Sequence, residues 1–241
     1  MRAGCSSTAR APLGLRSTVI ILGLAVSVGA CASQEVPRPV VTPMVSWQGG
    51  PPSGELERDP WVRAVRAGEL AFAAASNAAN FTDEALAQTW SNSAVLWMAD
   101  LARTDLDHGS PYVALGPRPL TPLAVELDEE GRSALVAVCA DDLAVAGEQP
   151  SGDRQGRHAQ VYRLELGDDG ERRIVGSNAP DGDFRLPDGG LLTDEYCSSV
   201  AIARGLFDPA PDLEPLLELD GDDVLAPPSP SPSFAVEVPD G

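Results

Sequence analysis

The sequence predicts an α+β fold in which two or three helices precede a meander of antiparallel strands. Three observations carry that expectation. Apolar residues between Trp61 and Leu106 recur at steps of three and four, the period of one helical face. From Gly109 onward the pattern changes to short apolar or alternating runs separated by turn residues. Both ends are rich in proline and poor in apolar periodicity, which places the folded part at 60–205.

The first helix begins at Asp59-Pro60. An aspartate satisfies the free N–H groups of a first turn, and proline lacks the N–H that would be orphaned there. Trp61, Val65, Gly68, Phe72, Ala75 and Ala79 form its apolar stripe, and the small members admit a close neighbour. Asn80 ends it. Thr82 is the expected next cap, followed by Asp83 and Glu84 at the positive end of a short helix running to about Trp90. Val95, Met98, Ala99, Ala102 and Leu106 predict a third helix, while 94–98 also reads as a strand. Trp90 and Trp97, seven apart, read as core packing.

Leu123–Leu127 and Ala134–Cys139 flank Asp128-Glu129-Glu130-Gly131, a hairpin signal. Both faces of the second run are apolar, so that strand is expected to be central and covered on both sides. In 158–166, Val161, Arg163 and Glu165 alternate with Tyr162, Leu164 and Leu166. Asp168-Asp169-Gly170 turns the chain into a partner strand over 171–177. Residues 191–207 read as a final strand or short helix. Residues 206–241, with nine acids and eight prolines, read as a disordered acidic, Pro/Ser-rich tail.

The N-terminus resembles a bacterial lipoprotein signal. Arg2, Arg10 and Arg16 make a basic segment, and Ser17–Ala30 is an apolar run too short to span a bilayer. Val28-Gly29-Ala30-Cys31 then matches the lipobox pattern of apolar, small, small and cysteine. A plain secretory signal or a short uncleaved anchor shares the first two features. The lipobox implies cleavage after residue 30 and lipidation of Cys31, and the proline and glycine content of 31–59 reads as a flexible tether. At about 0.8 kcal/mol per buried methylene, two acyl chains hold a protein on a membrane where one does not. The protein is therefore expected on the outer face of the cell membrane, its membrane contact made through the lipid.

The chain carries 17 arginines, no lysine and 36 acidic residues, a net charge of −19. Loss of residues 1–30 leaves 14 basic residues and a net of −22. Such a field repels nucleic acid and anionic lipid head groups. Cys5 falls in the signal and Cys31 takes the lipid, so Cys139 and Cys197 remain. In an oxidising compartment this pair reads as a disulfide, worth about 4 kcal/mol for a loop of that length. The alternative is two separate buried thiols. No zinc spacing, phosphate loop or hydrolase motif is present, so neither a metal nor a cofactor is expected.

Helices followed by a strand meander resemble the nuclear transport factor 2-like fold. Val136-Ala137-Val138-Cys139-Ala140-Asp141-Asp142, with the Gly-containing loop after it and the late Cys197, resembles small actinobacterial lipoproteins of that fold. The resemblance implies a curved antiparallel sheet forming a cone around the helices, and a disulfide between the two cysteines. It also implies proton transfer at a carbonyl by an Asp, His or Tyr inside the cone in the enzymes of the fold, and no catalysis in many relatives. Asp141, Asp142 and His158 are the catalytic candidates, followed by Asp100, His108, Tyr112 and Tyr162. None forms a constellation. Asp141 and Asp142 also read as solvated turn carboxylates, His158 as a surface residue, and His108 as a cation at a helix C-terminus. The functional expectation is a non-enzymatic envelope lipoprotein that binds a partner protein or an apolar small molecule. The alternative is an isomerase- or cyclase-like enzyme.

Overall fold

The computed structural model describes residues 38–141, 156–182 and 184–229. Within these, the chain is an α+β fold with one disulfide. Helix α1 spans Pro60–Ala78 and starts as expected, with the Asp59 carboxylate accepting from the backbone N–H groups of Trp61 and Val62. It ends at Ala79, which takes the left-handed conformation at φ 47°. Backbone hydrogen bonds from Leu225 N–H to the Ala79 carbonyl, and from Phe81 N–H to the Leu225 carbonyl, hold that turn. Helix α2 spans Glu84–Thr89, and its cap is Asp83 rather than Thr82. The Thr82 hydroxyl donates instead to the Asn80 side chain, which leaves the next carboxylate to take the first-turn N–H groups. Helix α3 spans Asn92–Asp107, capped by Ser91, so the stretch 94–98 is helical.

Strands β2 (Leu120–Leu127), β3 (Ser133–Ala140), β4 (His158–Leu166) and β5 (Arg172–Asn178) form an antiparallel sheet in that order. Here the expectation of a curved, cone-like sheet is corrected. The sheet is open, with β2 and β5 as its edges, and it neither curves round nor closes. The outlying strands β1 (Met44–Gln48) and β6 (Arg204–Asp208) do not extend it but pair with each other in a separate two-stranded sheet. Pro122 sits in edge strand β2, beside a register shift, where its missing N–H costs least.

Both faces of the four-stranded sheet are covered, as the apolar β3 suggested. Val136, Val138, Tyr162, Leu164 and Ile174 pack toward the helices in the main core. Ala137, Cys139 and Ala159 face a smaller cluster that includes Leu186, Leu192 and Cys197. Cys197 lies in a short helix, α4 (Asp194–Ser198), and is bonded to Cys139. Gly68 brings α1 close to the sheet, because a Cβ there would lie 2.5 Å from Ile174 Cδ1 and 2.9 Å from Trp90 Nε1.

The proposed domain limits also need correction. Arg38 in the tether segment donates to the backbone carbonyls of Ala78 and Asp223, and β1 lies within 31–59. Past residue 205 come β6, a short helix α5 (Glu214–Leu217) and buried Leu216 and Val224. The apolar residues scattered among the acids of 206–229 supply the burial that composition alone concealed. The described residues between Arg38 and Leu225 therefore contribute to one fold, and 230–241 lie outside the described residues.

The two-stranded sheet meets the rest of the chain at Gly116. A Cβ on Gly116 would stand 2.1 Å from the Gly205 carbonyl oxygen and 3.1 Å from Leu206 Cα. Both obstacles are backbone and cannot swing aside. Gly116→Ala is therefore expected to cost at least ~1–3 kcal/mol, the usual range for overpacking a buried site. Urea unfolding measures this, and an unchanged midpoint would show that the two backbones are not so close.

Candidate functional site

The helices and the open edge of the sheet enclose a cleft of about 620 Å³. Three turns of α1 contribute Glu69, Phe72 and Ser76, which share a face because they are spaced by three and four. Helix α3 contributes Trp97, Met98, Leu101 and Asp105. Trp90 comes from the end of α2, Tyr112 and Arg118 from the connection to β2, and Val175–Asn178 from edge strand β5. The walls are mostly apolar. Phe72 stands between Trp90 and Tyr112, with ring centroids at 6.4 Å and 6.1 Å. The Trp90 indole N–H donates to the Gly68 carbonyl at 2.9 Å, which fixes its ring against α1.

A buried polar group forms part of the lining. Glu69 is 3 % exposed. Its Oε1 accepts a 2.7 Å hydrogen bond from the buried Tyr162 hydroxyl. Its Oε2 lies 3.7 Å from Arg118 Nε, and Arg118 Nη1 also donates to Gln160 Oε1 at 3.2 Å. Gln160 and Tyr162 are two apart on β4, hence on one face of the sheet. Burial pushes the Glu69 carboxyl above its ordinary range, opposed by the Arg118 charge and the Tyr162 hydrogen bond. Burial also holds the Tyr162 phenol well above its ordinary value, and the adjacent Glu69 adds to that. Asp105, also lining the cleft, is raised by burial and lowered by nearby His108.

The residues singled out in the sequence are scattered. Asp141 is not a solvated turn carboxylate. It is buried and pairs at 2.5 Å with Arg204, which ties the end of β3 to β6. His158 opens β4, with its ring Nδ1 3.3 Å from the Gly156 carbonyl, and it does not line the cleft. Asp142 and Cys31 lie outside the described residues. Asp100 is exposed and pairs with Arg103, and His108 is the C-cap of α3. Tyr112 lines the cleft, and Tyr162 reaches it only through Glu69. The two tryptophans separate: Trp90 is buried, whereas Trp97 is 65 % exposed at the cleft. Glu69 and Arg118 were missed. A signal for Glu69 was available, since it lies four residues after Val65 within an alanine-rich helix and so falls on the buried face. Arg118, in an irregular connection, carries no such mark.

Among the described residues no group of acids, histidines and cysteines is placed to hold a metal ion. No family model, curated relative or solved structure matches this chain.

Proposed function

We propose that the chain is a lipid-anchored, extracytoplasmic binding protein whose domain holds one apolar small molecule with a polar end. The cleft carries this reading. It has the volume of a small-molecule site, aromatic and aliphatic walls, and a few convergent polar groups at Glu69, Arg118 and Tyr112. The anchoring half rests on the lipobox-like segment ending at Cys31.

Proton-transfer catalysis is the second reading, and the raised Glu69 carboxyl favours it. Against it, Glu69 Oε1 is engaged by Tyr162 and Oε2 faces Arg118. Neither histidine lines the cleft. Binding is therefore the better-supported function. The test is solvent extraction of the purified full-length protein followed by mass spectrometry. One co-purifying species, absent from a variant with the cleft filled by Ala94→Phe, is the expected result. Identical extracts from both proteins would contradict it.

A further inference from the structure

We propose that the molecule bound in this cleft is an organic cation, an ammonium group carried on an apolar body. The inference rests on reading the cleft as a small-molecule site and adds the charge of the ligand. Five of the twelve aromatic residues of the chain line this one cleft. Aromatic faces attract cations through the ring quadrupole, and the attraction grows as water is removed. Neutral apolar recognition needs no such concentration of rings, because leucine and valine would serve.

The charges of the lining point the same way. They are two carboxylates, Glu69 and Asp105, and one guanidinium, Arg118. Arg118 is drawn to Glu69 and Gln160, so its charge has a counter-charge within the lining. Asp105, which has His108 nearby, supplies the remaining negative charge of the lining. It lies eight residues after Trp97 on α3, two steps of four along one helix face, and both residues line the cleft. Trp97 is largely exposed there and offers a ring to an incoming cation. The chain's net charge of −19 adds a field that concentrates cations and repels anions.

A matched series of probes tests this: octylammonium, octanoate and octanol, each titrated into the full-length chain by calorimetry. Octylammonium is expected to bind about tenfold more tightly than octanol, which corresponds to ~1.4 kcal/mol, and octanoate is expected to bind least. Asp105→Asn should reduce the ammonium advantage over octanol, measured on the same variant, to about threefold or less. Octylammonium binding no tighter than octanol, or octanoate binding tightest, overturns the cation assignment and leaves the small-molecule reading in place. An ammonium advantage untouched by Asp105→Asn overturns the placement beside that carboxylate, and the proposal with it. Binding of none of the three probes overturns both readings.

Discussion

Replacing Cys139 and Cys197 together by alanine is expected to lower the unfolding free energy by roughly 2–5 kcal/mol. The bond joins positions 58 residues apart whose Cα atoms are 5.2 Å from each other. It fastens α4 and the segment around it to the outer face of β3. The rest of its attachment is a modest apolar cluster, in which Leu186 and Leu192 pack with Ala124, Ala137 and Ala159 beside the partly buried Phe184, Val200 and Ile202, and a few hydrogen bonds, such as that from the Ala159 N–H to the Asp194 carboxylate. Loss of the cross-link enlarges the unfolded ensemble, and the alanines forfeit packing at two fully buried positions. Denaturant unfolding of the variant against the oxidised wild type measures the difference. A change below about 1 kcal/mol would mean that the outer cluster holds itself without the bond.

The second large effect is expected at the Glu69–Arg118 pair. Arg118→Met removes the counter-charge from a buried carboxylate. Breaking a buried pair in this way costs ~3–5 kcal/mol. The lower end applies here, because the Arg118 side chain is 26 % exposed and Glu69 can take up a proton. The loss should be greatest near neutral pH and shrink in acid, where Glu69 is protonated. Glu69→Gln should remove a pH dependence from the wild type. An unfolded glutamate ionises near 4.5, and the folded one holds its proton to higher pH. Between those limits the native state binds more protons than the unfolded state, so stability falls as pH rises. The glutamine variant keeps an acceptor for the Tyr162 hydroxyl and lacks that decline. The double variant should recover most of the Arg118→Met loss. If Arg118→Met were as stable as wild type near neutral pH, Glu69 would not depend on this partner.

Local chemistry was legible in the sequence, and long-range assembly was not. The Asp59-Pro60 start of α1, the limits of β4 and the two-sided burial of β3 follow from caps and periodicity, which act over a few residues. The small residue at Gly68 correctly signalled close packing, made by Ile174 and Trp90. Closure of the sheet was misjudged, because no local pattern states that β1 pairs with β6, at positions more than 150 residues apart. The segment 206–229 looked unable to fold for a similar reason. Leu216 and Val224 bury only against surfaces made elsewhere, such as the turn at Ala79. The candidate site was the least legible part. Glu69, Tyr162, Arg118 and Gln160 come from three separate regions, and only folding brings them together.

Whether the cleft between the helices and the edge of the sheet binds a small molecule is open to a simple titration. The most direct measurement is calorimetric titration of octanol, a neutral probe, into the wild-type chain and into Ala102→Phe, whose added ring would fill the cleft. Saturable binding of one molecule per wild-type chain is expected, with at least a tenfold loss of affinity in a variant that still melts cooperatively. Absence of saturable binding to the wild type, or equal binding to both proteins, would contradict it.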